Sequence, residues 1–213
     1  MIRQQLQNKS NKYYRRLVSI ALTLLTFMLF LFLFNFIPKM TVQDDFYIKS
    51  AKSYIFNDGV VIDADIQMNF SAEVSEALEN GIPLMIVVEA QLFRERFLWR
   101  NIMIKASQRL FELRYHPLTN IHEVTNMATG DRYSFNSRQE AMAVLGNIRG
   151  AHLIDKQMLS QDSEYKIQIR TFLDINYLPL ALRQIASLSS SWYLRSPWYQ
   201  WDISTKLYTE NAL

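Results

Sequence analysis

Few residues in this sequence have the type and spacing to do chemistry. Asp63 and Asp65 lie two apart in the alternating run Val60–Phe70, shortly after Asp58. Two carboxylates on one strand face can bind a hard cation or share acid–base work. No glycine-bearing calcium loop surrounds them, so a solvated strand face is the expectation. The histidines are His116, His122 and His152, with no H-E-x-x-H and no i, i+4 spacing. His116 and His122 could meet across a turn, but a third metal ligand would have to come from elsewhere. There is no cysteine, which removes disulfides and thiol nucleophiles together. There is no G-x-S-x-G, Ser189-Ser190-Ser191 reads as a polar turn, and five scattered glycines make no phosphate-cradling loop. No cofactor and no metal site is implied, and the chain is not expected to be an enzyme.

Binding residues stand out more. In Arg94-Glu95-Arg96-Phe97-Leu98-Trp99-Arg100, cationic and aromatic side chains are interleaved with aliphatic ones. Arg94, Arg96, Phe97, Trp99 and Arg100 form the candidate interaction surface, suited to anionic headgroups or to a protein partner. The plainer reading is a strand with one buried and one Arg-rich exposed face. Near the C-terminus stand Trp192, Tyr193, Trp198, Tyr199 and Trp201. Such rings can stack on the sugars of a cell-wall ligand. The expectation is instead that they plug a core, each burying about 150 to 250 Å².

One stretch organises the elements that carry these residues. Leu17 to Ile37, LVSIALTLLTFMLFLFLFNFI, has no charge, no Gly and no Pro. At about 1.5 Å per residue a helix over this range spans roughly 31 Å, against a bilayer core of about 30 Å. Its Leu, Ile, Val and Phe residues favour insertion by roughly 5 to 9 kcal/mol. Arg3, Lys9, Lys12, Arg15 and Arg16 precede it with no acid among them, and all 20 acidic residues come after it. The positive-inside rule then places residues 1–16 in the cytoplasm as a basic tail. The chain beyond Ile37 is then expected outside the cytoplasm, which for a bacterial cytoplasmic (inner) membrane means the periplasm. The sequence pI of about 9.0 comes from that tail and carries no nucleic-acid signal. The run is longer than a signal-peptide core of about 7 to 15 residues and no A-x-A site comes after it, so an uncleaved anchor is expected.

Residues 38–45 read as a tether and 46–204 as one β-rich extracytoplasmic domain, with 205–213 a frayed C-terminal tail. Hydrophobic residues make up 49% of the chain, which excludes a long disordered segment. Phe46–Phe56 predicts a strand, turned by Asn57-Asp58-Gly59 into the alternating run from Val60. Ser71 caps a short helix that Asn80-Gly81 stops. Pro83–Phe93 is a strongly apolar strand, Arg94–Trp99 its loop or continuation, and Arg100–His116 the return. Apolar parity changes along that return, predicting a bulge near Ser107–Leu110. Ile121–Asn126 and Arg132–Phe135 form a hairpin. Ser137-Arg138-Gln139-Glu140 is a capping box opening a helix that buries Ala141, Val144, Leu145 and Ile148, with Gly146 and Gly150 marking its end. Tyr165–Leu173 alternates again. Pro179 starts a third helix ending around Ser187. Trp192–Trp201, interrupted by Pro197, reads as an edge strand. The fold class is mainly β with short helices (α+β), an antiparallel β-sandwich or curled sheet preceded by one N-terminal transmembrane helix.

Four stretches carry a resemblance: VVIDADIQMNFSAEVSEALENGIPL, LRYHPLTNIHEVTNMATGDRYSF, SRQEAMAVLG and SSSWYLRSPWYQW. In order and spacing they resemble the bacterial domain-of-unknown-function family 4390, over about Phe46 to Ile203. The resemblance implies a single-pass envelope protein, often encoded beside a nitrogen-regulation-type membrane sensor kinase, and supplies no catalytic residues. The expected role is a binding or accessory module for another envelope protein, with a sensor kinase's outer region as a plausible target. The alternative is a ligand-binding module for a lipid or a cell-wall fragment.

Overall fold

The computed structural model describes residues 26–28, 46–96, 100–160 and 163–204. The chain divides into two compact units, 1–41 and 42–213. Of the apolar run Leu17–Ile37 only 26–28 are described; they are helical, and Phe27 and Met28 are exposed. The rest of that run, the basic tail 1–16, the tether 38–45 and the tail 205–213 lie outside the described residues. Among the described residues no helix is long and apolar enough to cross a membrane.

The second unit is mainly β, in two wholly antiparallel sheets. The smaller has the order β1-β2-β7, from β1 (Phe46–Phe56), β2 (Gly59–Met68) and β7 (Asn147–Asp155). The larger has the order β6-β5-β4-β3-β8-β9. Its strands are β3 (Leu84–Arg94), β4 (Ile102–His116), β5 (Ile121–Asn126), β6 (Arg132–Phe135), β8 (Glu164–Leu173) and β9 (Tyr199–Ser204). Three short helices punctuate them: α1 (Ala72–Glu79), α2 (Arg138–Gly146) and α3 (Leu180–Ala186). One buried cluster joins both sheets, with Ile62 and Ala64 of β2, Ile86 and Val88 of β3, and Ile167 and Ile169 of β8. Each large side chain hidden there stabilises the fold by about 1.5 to 3 kcal/mol.

Local chemistry explains the framework. Asn57 and Asp58, at φ 47° and 61°, make the two-residue turn between β1 and β2. Asn and Asp enter this left-handed region more readily than other side chains. Ser71 Oγ accepts from Val74 N at 3.3 Å and Ser137 Oγ from Glu140 N at 3.2 Å, so both helices start where the sequence places their caps. β3 is buried on both faces along Leu84–Ala90, between β4 and β8, and Asp174 N donates to Met85 O at 2.8 Å, extending the β3–β8 ladder past Leu173. A strand covered twice reads as an unbroken apolar run.

Four expectations needed correction. The helix opened by Ser137 ends at Gly146, and the residues beyond it form β7. Ile148 is buried as a strand residue, whereas Val144 is 46% exposed. Gly150 at φ 57° and register shifts against β2 break the alternation that would have announced β7. In β4 the register slips between Leu92↔Lys105 and Phe93↔Met103, so Ile104 is the extra residue and the bulge lies there rather than at Ser107–Leu110. β4 itself begins at Ile102 rather than Arg100. The last strand is Tyr199–Ser204, still at a sheet edge, while Ser190–Trp192 is a one-turn 3-10 helix.

Candidate functional site

The residues of the candidate surface gather at one end of the larger sheet. Arg94 is the last residue of β3, half-buried and paired with Ile102 and Tyr165. Arg96 and Arg100 are exposed in the β3–β4 loop. Phe97 and Trp99 lie outside the described residues. The base of the loop is fixed: Glu95 N donates to Glu164 O at 2.9 Å, and Lys166 Nζ lies 2.8 Å from Glu95 and 3.3 Å from Asp202. The hydrogen bond to Glu95, then that to Asp202, hold the Lys166 pKa above its ordinary value.

From this loop runs an open edge. β5 covers β4 only along Phe111–His116. Leu110 O accepts from Met127 N at 3.0 Å. Over Ile102–Arg109, β4 has β3 on one side and, among the described residues, no strand on the other. The bulge at Ile104 sets what this edge presents. From Lys105 onward the parity is unbroken, so Lys105, Ser107 and Arg109 share the inward face with Phe111 and Leu113. Among the described residues β7 is likewise paired on one side only, with β2.

Behind the edge is a groove of about 250 Å³, lined by Arg109 and Phe111 of β4, Val124 of β5, Tyr133 of β6, Leu145 of α2 and Ile148 of β7. A cavity of about 20 Å³ adjoins it between the sheets, sharing Arg109 and Ile148. Among the described residues Arg109 has no hydrogen bond and no ion pair, and burial alone pulls its pKa down from the ordinary arginine value. An arginine still carries its charge at neutral pH.

The other sequence candidates are in use within the fold. Asp63 accepts from Gly150 N at 2.9 Å and Tyr54 Oη at 3.1 Å. Asp65 accepts from Ser50 Oγ at 3.1 Å and pairs with Arg149. The hydrogen bond from Arg149, then that from Ser50, hold the Asp65 pKa below its ordinary value. The two carboxylates therefore tie β1, β2 and β7 together, which is more than a solvated face. His152 lies 3.0 Å from Asp155, and its ring fills the space a Cβ on Gly59 would need. Because His116 pairs with Ile121 and His122 with Tyr115, the two histidines point to opposite faces. His116 meets Glu123 at 3.9 Å, whereas His122 is buried against the Tyr115 ring. Burial, then the charge of Arg138, pull the His122 pKa down, against a smaller push from Glu79. Among the described residues no group of three or more His, Cys, Asp or Glu could hold a metal ion. Of the terminal aromatics Trp192 is in the core; Trp201 is half-buried, its Nε1 donating to Ser53 Oγ at 3.1 Å; Trp198 is half-buried and Tyr193 and Tyr199 are exposed.

A family model described as Domain of unknown function (DUF4390) matches residues 43–202. The chain belongs to this DUF4390 family. No curated protein and no solved structure matches it. The DUF4390 match begins after the apolar run, opens just before β1 and closes within β9. The open edge and the groove lie within the matched residues. Arg109 escaped sequence reasoning because it falls where the apolar parity was read as broken. Placing the bulge at Ile104 instead turns it, with Lys105 and Ser107, inward.

Proposed function

We propose that this DUF4390 chain is a membrane-held binding module that takes an extended segment of another envelope protein along the open edge of β4. Leu17–Ile37 is its transmembrane anchor, with residues 1–16 in the cytoplasm. The two sheets of 46–204 form a sandwich on the periplasmic side, and the module works by contact rather than by catalysis. The observation that carries this is the stretch Ile102–Arg109, which among the described residues has no strand on its outer side, running directly into the basic β3–β4 loop. An edge strand offers a row of unmade backbone hydrogen bonds, each contributing about 0.5 to 1.5 kcal/mol net when a partner strand completes it. The bulge and the inward Lys105 and Arg109 guard the edge against a second copy of itself. With Arg96 and Arg100 they favour an acidic strand. By resemblance, the outer region of a membrane sensor kinase is a suitable partner. Two proteins held in one membrane meet at high effective concentration, so a weak interface suffices.

Crosslinking in intact membranes, then identification of the crosslinked species, tests this. A protein adduct that the Lys105→Glu chain loses is expected. Recovery of lipid adducts alone would overturn it. A reporter active only outside the cytoplasm, fused after Leu213, is expected to be active; an inactive fusion reverses the orientation and removes the argument for an envelope partner.

A second reading rests on Arg109. A guanidinium without a partner among the described residues, in a groove that sets Phe111, Val124 and Leu145 beside Asn126, Asn147 and Arg149, suits a small anionic amphiphile of lipid origin. Binding of a medium-chain fatty acid that Arg109→Gln abolishes would favour it over the strand.

A further inference from the structure

The outer face of the larger sheet carries side chains that neither the edge nor the groove uses. Register places them in two rows across neighbouring strands. One row is Gln108, Glu89 and Arg170, continued by Trp198 just before β9. The next is Ala106, Gln91, Gln168 and Gln200. They are joined in a chain of directed hydrogen bonds. Gln168 Nε2 donates to Gln91 Oε1 at 2.8 Å, and Gln91 Nε2 donates to Glu89 Oε1 at 2.7 Å. Arg170 donates to Glu89 Oε2 through Nε at 2.8 Å and Nη2 at 2.6 Å. The Arg170 guanidinium in turn lies 4.4 Å from the centre of the Trp198 ring. Glu89 is buried beneath its neighbours, while Gln91, Gln168, Arg170 and Trp198 are half-exposed and Gln108, Ala106 and Gln200 are exposed.

We propose that this face binds an uncharged saccharide, with Trp198 under a sugar ring and Gln91, Gln168 and Gln200 hydrogen-bonding its hydroxyls. Charge is the first argument. Glu89 and Arg170 cancel, and Lys166 beside them is shared by two acids, Glu95 and Asp202, so no cation is left over for a phosphate or polyanion and an uncharged ligand fits better. The second is the pairing inventory. An amide presents a donor and an acceptor together, as a sugar hydroxyl does, whereas a simple carboxylate or ammonium ligand would leave one or the other unmade. The third is preorganisation. The hydrogen-bond chain fixes the Gln91 and Gln168 amides before any ligand arrives, and the Arg170 guanidinium lies over the indole, so little freedom is lost there on binding. An indole left half in water without a core to fill has its apolar face to offer, and sugar C–H faces are apolar. Ala106 at the end of the row leaves a step between Gln91 and the open edge. Strands about 4.8 Å apart make the four-residue row wide enough for roughly two sugar rings.

The test is calorimetric titration of the full chain, held in nanodiscs so that no sugar detergent competes. The probes are the tetramers of glucose and of N-acetylglucosamine, with inorganic phosphate as the charged control. Saturable binding of at least one tetramer is expected, none to phosphate, and at least a tenfold weakening in both Gln168→Ala and Trp198→Ala. Gln200→Ala, at an exposed position, is expected to weaken binding without lowering the melting temperature. No saturable binding to either tetramer, or binding unaffected by all three substitutions, would overturn the proposal. Lys105→Glu separates this face from the strand edge: it is expected to leave saccharide binding unchanged.

Discussion

Replacing Arg170 by Met is the sharpest probe of how the larger sheet holds together. Glu89 has only 8% of its side chain exposed, and one of its oxygens receives both hydrogen bonds from Arg170. Gln91 serves the other oxygen. Removing Arg170 leaves a buried carboxylate with a single neutral donor. Breaking a fully buried pair this way costs about 3 to 5 kcal/mol. Arg170 itself is 33% exposed, so water can reach part of the vacated space, and about 2 to 3 kcal/mol is the figure we expect. Met loses the guanidinium contacts with the Phe172 and Trp198 rings but fills part of the same space with an apolar chain, so packing loss is a minor part. The converse change, Glu89→Gln, leaves an arginine that can turn to solvent, at about 1 kcal/mol. In the double variant no charge is stranded, so its cost should fall short of the sum of the two by about 1 to 2 kcal/mol. Urea unfolding monitored by tryptophan fluorescence reads all three. A single-variant cost under about 0.5 kcal/mol, or strict additivity, would refute the reasoning that Glu89 depends on Arg170.

Three other contacts carry their own expected outcomes. A Cβ at Gly146 would stand 2.1 Å from Ile66 O, a backbone atom that cannot swing away. Gly146→Ala should therefore destabilise by about 2 kcal/mol in denaturant melts, despite the better helix propensity of Ala. Thr171 is fully buried and, among the described residues, its Oγ1 has no hydrogen-bond partner, so Thr171→Val should raise stability by about 1 kcal/mol in the same assay. His122 is held below its ordinary pKa by burial first and by Arg138 second. Its stabilising contribution is thus complete above the unfolded value of about 6.5 and is lost as pH falls below it, because the unfolded chain then takes up a proton that the folded chain resists. His122→Phe, which keeps a ring against Tyr115, should show a smaller fall in melting temperature between pH 7.5 and 5.5 than the parent.

Much of the fold was legible because its cues are local and periodic. The alternation from Val60 to Met68 and from Tyr165 to Leu173, the Asn57-Asp58 turn and the caps at Ser71 and Ser137 each report a backbone preference that packing did not override. β7 was not legible, since Gly150 and two register shifts disrupt its period and Ile148 continues the apolar spacing of the helix before it. The site was half legible. The basic loop announced itself by composition, but the open edge beside it is a fact of pairing, visible only when β5 is seen to stop at Phe111. Asp63 and Asp65 looked like idle surface charges because their partners, Arg149 and Gly150, come from the unrecognised strand. Trp198 looked like core filling because sequence cannot say that an arginine, not an aliphatic side chain, lies against the ring.

Hydrogen–deuterium exchange along Ile102–Leu110 tests the account's central claim most directly. In the purified chain the outward-facing amides of this edge should exchange at rates near those of exposed loops, while the β3-facing ones stay protected. In native membranes, with a partner strand in place, the outward amides should slow by at least tenfold and Lys105→Glu should restore their rate. Equal, fast exchange in both settings would contradict the claim that this edge is where the protein makes its contact.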